Sequence, residues 1–342
     1  MTSMKWFDQS FTQREGSRRH SLKVIAGGAL AAALPVSVGA QSYPARPIRL
    51  IVGFGQGSGN DIIARELAKP LAEHLGQAVV VENRGGGGGA LGTEAVAKSA
   101  ADGYTIGLGT SSQLVMNVGL YSRLPFDVER DLRSIGLIAY TPLALVASMN
   151  SPATLSELLA FARANPGRLT YGSGGTGSIS HIVGESFSRV TGIQLTHVPY
   201  KGNGPALVDV ASGHINLLFD GFVSASPMQQ QGKVRLLAVS GTRRSAAAPS
   251  VPTFAEQGVS NYEAATWNNL YAPAATPDDV IAKLNDALNH AMKTAGVLSV
   301  IARGGGDSLA PSTPSQADSY GAEQRARWVP FVRSLQIRTD AS

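Results

Sequence analysis

Cysteine is absent from all 342 residues of the chain. Its absence excludes disulfide bonds, thiol catalysis, cysteine-bound metal and lipid attachment to a cysteine. The sequence also lacks a His-Glu-x-x-His motif, a phosphate loop of the form G-x-x-x-x-G-K-[ST] and a G-x-S-x-G nucleophile motif. The histidines that are present do not have the spacing of a zinc site, so we predict neither a metal nor another cofactor.

Clusters of basic residues are missing from the body of the chain, although the sequence pI is about 9.5. The formal net charge is +5, and the first forty residues supply +3 of it (five basic minus two acidic residues), which leaves +2 for the rest. No run of Lys and Arg interleaved with aromatic residues follows residue 41. Nucleic acid is therefore not expected as a partner.

The first forty residues (1–40) have the pattern of an export signal. A basic segment containing Arg18 and Arg19 precedes an apolar run of about 15 residues, and small residues then resemble a cleavage site between Ala40 and Gln41. The paired arginines resemble a twin-arginine signal, although a serine at a position usual for phenylalanine leaves the general secretory route open. The apolar run is short for a bilayer span. We expect cleavage of this segment and a mature protein in the periplasm.

A glycine-rich segment, residues 53–61, lies between a predicted strand and a predicted helix. Residues 48–52 are apolar and β-branched, as in a buried strand, and apolar residues recur every four positions after the glycines. Asn60 or Asp61 is in position to cap the first helical turn. Such a junction directs unpaired backbone N–H groups and the positive end of a helix dipole to one point. The segment therefore predicts an anion site, with a tight turn that binds nothing as the alternative.

A second segment rich in glycine and hydroxyl groups, residues 172–181, follows a predicted strand at 169–171 and precedes a helical run. Two G-x-G-x-x-G matches occur, at 87–92 and 172–177. Neither has an acidic residue at the end of the next predicted strand, so a dinucleotide site is not predicted. Two glycine loops that are well separated in sequence predict two lobes facing one ligand.

The rest of the chain alternates predicted strands and helices, which is typical of mostly parallel sheets with helices on both faces. The apolar segment 134–149 is a predicted crossover between lobes, and residues 109–112 are a predicted loop after the third strand. Thr154 begins a capping box and hence a helix. Thr276 is a predicted N-cap, with Pro277 at the first helical position.

Uncharged hydrogen-bond donors follow the predicted strands, at the edge where open α/β sheets bind ligands. Hydrogen bonds to a charged group contribute about 1.5–3 kcal/mol each, so about four of them supply the roughly 8 kcal/mol of micromolar affinity. Such a site suits a carboxylate without an arginine. The alternative is a hydrolase that uses Ser173 or Ser178 with His181 and Asp220. A simpler interpretation of His181 is a residue at a helix start that bonds to its own loop.

The chain from about residue 43 to 337 resembles the solute receptors of tripartite tricarboxylate transporters, often called Bug receptors. The resemblance covers essentially all of the predicted mature chain and rests on short motifs that occur in one order. These motifs are residues 43–48, 57–61, 80–84, 102–104, 171–173, 197–202, 219–220 and 236–239.

The resemblance implies an α/β fold of the two-lobed periplasmic binding protein type (type II). One lobe would comprise residues 41–142 and 265–342 and the other residues 143–264, joined by two hinge crossovers. The implied activity is binding rather than catalysis: closure over a di- or tricarboxylate, an acidic amino acid or an aromatic acid. The implied partners are the membrane permease subunits of a tripartite transporter, and we expect the receptor to be a monomer.

The resemblance also implies which residues contact the ligand. Loop 1 (residues 54–60) and loop 2 (residues 173–178) would hold the carboxylate, with Tyr200 and Lys201 near the mouth of the cleft. Asp220 would face the cleft and help to select the distal end of the ligand. A strand-end carboxylate that faces a cleft has no obligatory structural partner, so we expect Asp220→Ala to change ligand choice more than folding. The predicted ligand-binding residues are Phe54, Gly57, Ser58, Gly59, Asn60, Thr110, Ser112, Ser173, Gly175, Thr176, Gly177, Ser178, His181, Tyr200 and Asp220.

The sequence departs from the family pattern close to this predicted site. Gly53, directly before loop 1, stands where the family usually has proline, and Gln56 lies within the loop where the family usually has a small residue or proline. Gly221 stands where asparagine is common, and Asn268 and Asn269 stand where the family is often less polar. The class of protein is therefore predicted, but the identity of the ligand is not.

Overall fold

The computed structural model of the chain describes residues 43–200, 202–260, 262 and 264–337. The predicted export signal and Lys201 lie outside the described residues. Within the described part, none of the helices has the length and apolar character needed to cross a membrane.

The strands of the described chain form two sheets. In both sheets, a strand is followed along the chain by a helix and then by a parallel strand of the same sheet. In chain order the strands are β1 (Ile48–Val52), β2 (Val79–Asn83), β3 (Thr105–Thr110), β4 (Leu132–Pro142), β5 (Ala144–Ser148), β6 (Thr170–Ser173), β7 (Thr196–Pro199), β8 (Leu217–Asp220), β9 (Val234–Val239), β10 (Ala265–Pro273) and β11 (Asp307–Ser308).

The helices connect these strands and lie on both faces of the sheets. In chain order they are α1 (Gly59–Leu75), α2 (Ala90–Ala97), α3 (Asn117–Leu120), α4 (Val128–Asp131), α5 (Leu155–Ala164), α6 (Ile179–Thr191), α7 (Asn203–Ser212), α8 (Phe222–Gln230), α9 (Asp278–Ala291), α10 (Ala295–Arg303) and α11 (Pro314–Ser334).

Both sheets are mixed. The first has the strand order β11-β4-β10-β3-β1-β2 and the second the order β7-β6-β8-β5-β9. β1 is parallel to β2 and β3, and β6 is parallel to β7 and β8. The strands that carry the chain between sheets, β4, β5 and β10, are antiparallel to their neighbours. The sheets are therefore less parallel than the sequence predicts, because the crossover strands insert in the opposite direction.

Each sheet is enclosed between two helical layers. α1, α9 and α10 cover one face of the first sheet, around Leu50 and Leu270. α2, α3 and α11 cover its other face, where Trp267 is fully buried. In the second sheet α5 and α6 pack around Phe219, and α7 and α8 pack around Leu218. The alternation of Phe219 and Leu218 between faces is the two-residue period of a strand buried on both sides.

The segment 134–149, predicted as a crossover, consists of two strands in different sheets. β4 ends at Pro142 in the first sheet, and β5 begins at Ala144 in the second. The chain returns between the end of β9 and Ala265, where β10 begins. The assignment of residues 41–142 with 265–342 to one lobe and of 143–264 to the other remains a prediction.

Two local predictions are wrong. Residues 109–112 are not a loop, because Thr110 ends β3 and a π-helical turn begins at Ser112. α9 begins at Asp278 with Pro277 as its N-cap, and Pro277 is therefore not the first helical residue. The hydroxyl of Thr276 does not cap this helix and is buried, with no hydrogen-bond partner in the part of the chain that the structure describes. The capping box at Thr154 is confirmed.

Candidate functional site

A buried carboxylate fixes the shape of loop 1 between β1 and α1. Asp61 is 2% exposed. It accepts hydrogen bonds from the Gly57 N–H at 2.9 Å, from Asn83 Nδ2 at 2.9 Å and from Arg65 Nε at 3.0 Å. Asn83 Nδ2 also donates to the carbonyl oxygen of Phe54 at 3.0 Å. The hydrogen bond from Arg65 is the largest cause that lowers the pKa of Asp61 to about 2.

The first turn of α1 presents N–H groups that have no acceptor inside the helix. Ser58 is the N-cap, and its Oγ accepts from the Asp61 N–H at 3.3 Å. The prediction that Asn60 or Asp61 caps the helix is wrong, because the Asp61 carboxylate turns back to loop 1. Gly59 and Asn60 occupy the first two helical positions, where a backbone N–H lacks an intrahelical partner. Both N–H groups lie at the positive end of the helix dipole.

Loop 2, between β6 and α6, is held by hydrogen bonds to residues of α6 and β7. Ser178 is the N-cap of α6 and accepts from the His181 N–H at 3.4 Å. His181 Nδ1 accepts from the Gly177 N–H at 3.0 Å. The Ser173 hydroxyl is fully buried and lies 2.6 Å from His197 Nε2. Ser173 therefore supports the loop from below rather than lining its exposed surface.

The remaining groups of loop 2 lie at or near the surface. Thr176 is exposed, and Gly175, Gly177 and Ser178 are half-buried. Gly175 has a φ of 120° and Gly177 a φ of 81°, values that a side chain would strain. The glycines thus let the backbone turn tightly just before the start of α6, where unpaired N–H groups collect again.

A pair of stacked histidines supports loop 2. The ring centroids of His181 and His197 are 3.9 Å apart, and the ring of Tyr171 lies 5.0 Å from that of His197. Burial lowers the pKa of His181 to about 4, and burial together with the neighbouring His181 lowers the pKa of His197 to about 4. Glu185 is close, 3.9 Å from His181 Nε2, and accepts from the Tyr171 hydroxyl. Both rings are therefore neutral at pH 7.

This geometry does not form the hydrolase site that the sequence left open. Nδ1 of His181 is occupied by the Gly177 N–H, and the hydrogen bond between His181 and Ser178 uses the backbone N–H of His181. Ser173 pairs with His197 instead, and its hydroxyl has no exposed surface from which to attack a substrate. His181 is a residue at a helix start that bonds to its own loop.

Asp220, at the end of β8, belongs to a hydrogen-bond chain that reaches loop 2. It is 7% exposed and accepts from Asn203 Nδ2 at 2.8 Å and from Ser224 Oγ at 2.6 Å. Asn203 Oδ1 accepts from Ser180 Oγ at 2.9 Å, and Ser180 Oγ accepts from the Gly174 N–H at 3.0 Å. Burial raises the pKa of Asp220. The expectation that Asp220 lacks structural partners is therefore wrong.

We expect Asp220→Ala to lower the free energy of unfolding by about 1 kcal/mol. Removal of the buried carboxylate leaves the half-buried amino group of Asn203 without its acceptor, whereas the exposed hydroxyl of Ser224 still donates to the Gly221 carbonyl oxygen. Denaturant unfolding measures the change. Glu73→Ala, on the exposed side of α1, is the control and should change stability by less than about 0.5 kcal/mol. Equal stability of the Asp220→Ala variant and the parent protein would contradict the structural role.

Two other predicted site residues, Tyr200 and Thr110, have local hydrogen-bond partners. The Tyr200 hydroxyl donates to Asp209 at 2.7 Å, and burial together with this hydrogen bond raises the pKa of Tyr200 to about 12. Thr110 is 2% exposed, and its Oγ1 accepts from the Gln113 N–H at 3.4 Å. The hydroxyl groups of Tyr200 and Thr110 therefore form hydrogen bonds within the fold. A further predicted site residue, Ser112, is half-buried at the start of the π-helical turn.

The topology brings the two glycine loops to the same junction. Asp220, the last residue of β8, pairs with Ala144 at the start of β5, directly after the first crossover. Thr110, the last residue of β3, pairs with Asn268 near the start of β10, shortly after the second crossover. Because β1 and β6 are parallel to β3 and β8, loops 1 and 2 also leave their sheets beside the crossovers.

Sequence reasoning missed three residues that organise the site. Asn203 and Ser180 connect loop 2 to Asp220, and Asn268 donates to Asn60 Oδ1 at 2.9 Å. Asn203 comes shortly after the end of a predicted strand. Because open α/β sheets bind ligands at the carboxyl ends of their strands, the sequence does contain a signal for Asn203. Asn268 stood out only as a polar departure from the family pattern.

Two cavities lie along α11, away from both loops. Their volumes are about 760 Å³ and about 590 Å³, and their linings share Glu129 and Arg325, which form an ion pair at 3.0 Å. Neither lining includes a residue of loop 1 or loop 2. The site described above is therefore an edge between two sheets and not one of these cavities.

The sequence model of the family described as "Tripartite tricarboxylate transporter family receptor" (TctC) matches residues 63–337. The chain belongs to this family. The resemblance noted in the sequence is thereby confirmed. As a TctC receptor, the protein is a periplasmic solute-binding receptor, and its relatives are receptors rather than enzymes.

Relatives with curated names or solved structures cover nearly the whole described chain. Protein BugT of Bordetella pertussis is 37% identical over 304 residues, 88% of this chain and 93% of BugT. The adipate-bound protein Rpa4515 of R. palustris is 32% identical with a TM-score of 0.76, covering 86% of this chain and 99% of that one. MatC of Rhodopseudomonas palustris with bound malate is 29% identical with a TM-score of 0.74, covering 85% and 100%. These structures confirm the predicted two-lobed α/β fold class of the TctC receptor.

Proposed function

We propose that this receptor binds a small organic carboxylate between loop 1 and loop 2 and delivers it to the membrane subunits of a tripartite tricarboxylate transporter. The observation that carries the proposal is the pair of helix starts, at Ser58 and at Ser178, each following a parallel strand that ends beside a crossover. Unpaired backbone N–H groups at a helix start favour a negatively charged ligand.

The chemistry of the loops favours binding over reaction. The described groups at both helix starts are backbone N–H groups, hydroxyls and the Asn60 carboxamide. The titratable residues nearby are already hydrogen-bonded: His181 to Gly177, His197 to Ser173 and Asp61 to Arg65. Such groups hold a carboxylate by hydrogen bonds worth about 1.5–3 kcal/mol each. The relatives with bound malate and adipate support a dicarboxylate as the ligand class.

The location of the loops supports capture by closure. Both loops leave their sheets beside the segments that join the sheets, so rotation about those segments changes the distance between the two helix starts. We propose that residues 41–142 with 265–342 and residues 143–264 close as two bodies on the carboxylate, and that the closed form is recognised by the permease. Export and cleavage after Ala40 would supply the receptor to the periplasm.

A panel of acids tests the proposed ligand class. We expect at least one of malate, succinate, adipate, citrate, glutamate and benzoate at about 1 mM to stabilise the protein. For a micromolar Kd the gain is about 4 kcal/mol, or a rise in Tm of roughly 8 °C. Adipamide, which has the length of adipate without its charges, is the control and should give no shift. Absence of stabilisation by every acid, confirmed by calorimetric titration, would contradict the proposal.

A further inference from the structure

Asn268 fixes the orientation of the Asn60 side chain. Its Nδ2 lies 2.9 Å from Asn60 Oδ1 and 3.4 Å from the carbonyl oxygen of Gly109. A backbone carbonyl only accepts hydrogen bonds, so the amino group of Asn268 has to face Gly109. The same amino group then donates to Asn60, which turns Asn60 Oδ1 toward Asn268.

The amino group of Asn60 consequently faces away from β10. Among the described residues this amino group has no hydrogen-bond partner, and the side chain is half-buried rather than enclosed. Asn60 is also the second residue of α1, so its backbone N–H lacks an acceptor inside the helix and lies on the same residue as the two side-chain N–H donors. Loop 1 therefore offers donors from side chain and backbone at one point, and the Asn60 acceptor oxygen is occupied.

Asn268 is itself held firmly. It is 2% exposed and lies in β10 between Thr110 of β3 and Ala139 of β4, its partners in the two ladders. A side chain between two paired strands has little room to change rotamer. Asn268 is also the fourth residue of the strand that begins after the second crossover, so the orientation of Asn60 depends on a strand that enters from the junction between the sheets.

We propose that Asn268 is a positioning residue, which keeps the amino group of Asn60 directed at a carboxylate oxygen of the ligand. The inference rests on the proposed function and adds to it a residue that determines which ligands are selected. With its oxygen occupied by Asn268, the Asn60 carboxamide offers donors only. The site then favours an acceptor oxygen such as that of a carboxylate and disfavours the amino group of an amide.

Alanine variants test whether Asn268 acts through Asn60. The probe is adipate, or whichever acid of the panel binds the parent protein most tightly, measured by calorimetric titration. We expect Asn60→Ala and Asn268→Ala each to raise Kd about tenfold or more, and the double variant to bind no more weakly than Asn60→Ala alone. The control is Asn269→Ala, because Asn269 is equally buried but bonds to Ser134 and not to loop 1. Its Kd should stay within about twofold of the parent value.

Asn268→Asp gives a second readout that loss of stability alone does not produce. A carboxylate at this position cannot donate to Gly109 or to Asn60, so Asn60 is expected to turn and present its oxygen to the ligand. Adipamide, which gives no shift with the parent protein, should then raise the Tm of the Asn268→Asp variant, while it leaves the Tm of Asn269→Ala unchanged. No response of Asn268→Asp to adipamide, or additive losses in the double alanine variant, would overturn the inference while the parent protein still binds acid. Failure of the parent protein to bind any acid would instead overturn the proposed function.

Discussion

Replacement of Asp61 by alanine is expected to lower the free energy of unfolding by about 3 kcal/mol and to weaken carboxylate binding at least tenfold. Three groups lose their acceptor at once: the Gly57 N–H, Asn83 Nδ2 and Arg65 Nε. Removing one member of a fully buried ion pair costs about 3–5 kcal/mol. The lower end applies here because the Arg65 side chain is 46% exposed and regains water.

Denaturant unfolding and calorimetric titration with the best acid of the panel measure the two effects. Asp61→Asn should lose less stability than Asp61→Ala, since the amide oxygen still accepts from Gly57. Asp286→Ala is the control, because that carboxylate is 77% exposed. Since the pKa of Asp61 is lowered to about 2, its contribution is present at neutral pH and disappears as the pH falls from about 4 to about 2. An Asp61→Ala variant as stable as the Asp286→Ala variant would contradict this account of loop 1.

Acidification from pH 7 to pH 4 is expected to lower the free energy of unfolding by on the order of 3 kcal/mol through the stacked histidines. Their pKa is lowered from 6.5 to about 4, so the unfolded chain binds protons in this range before the folded chain does. Stability is therefore lost as the pH falls from about 6.5 to about 4. The groups that face the pair are Ser173, Glu185 and Tyr171, and only Glu185 opposes the shift of His197.

A variant that carries both His181→Gln and His197→Gln isolates this effect. Glutamine keeps hydrogen-bonding capacity for Gly177 and Ser173 but does not titrate. We expect the variant to be somewhat less stable at pH 7 and to have a much flatter dependence of unfolding free energy on pH between 6.5 and 4. The exposed His214→Gln is the matched control and should keep the slope of the parent protein. Equal slopes in the double variant and the parent would show that other groups control acid stability.

The parts of the fold that follow from local signals could be predicted. The apolar strand 48–52 is observed as β1, and the capping box that begins at Thr154 starts α5 as expected. Both signals are contained within a few residues, where the periodicity of side chains and the needs of helix termini decide the structure. The glycine loops after β1 and β6 were found in the same way, because each lies between a clear strand and a clear helix.

The parts that depend on distant partners could not be predicted. The sequence indicates a strand-end carboxylate without partners at Asp220, but Asn203 and Ser224 approach it once α7 and α8 have packed on the sheet. Asn268 and Asn60 are 208 positions apart, and nothing in the sequence near either residue indicates their contact. Ser173 was predicted to touch the ligand because it follows a strand, but its hydroxyl lies beside His197 beneath loop 2.

The central claim is that one carboxylate is held between the start of α1 and the start of α6. A crystal structure with adipate, or with the tightest-binding acid of the panel, tests it most directly. We expect carboxylate oxygens about 3 Å from the N–H groups of Gly59 and Asn60, directly or through one water, and a second contact of the same molecule with residues 173–178. An acid bound in the cavities along α11, or held by one loop alone, would contradict the account.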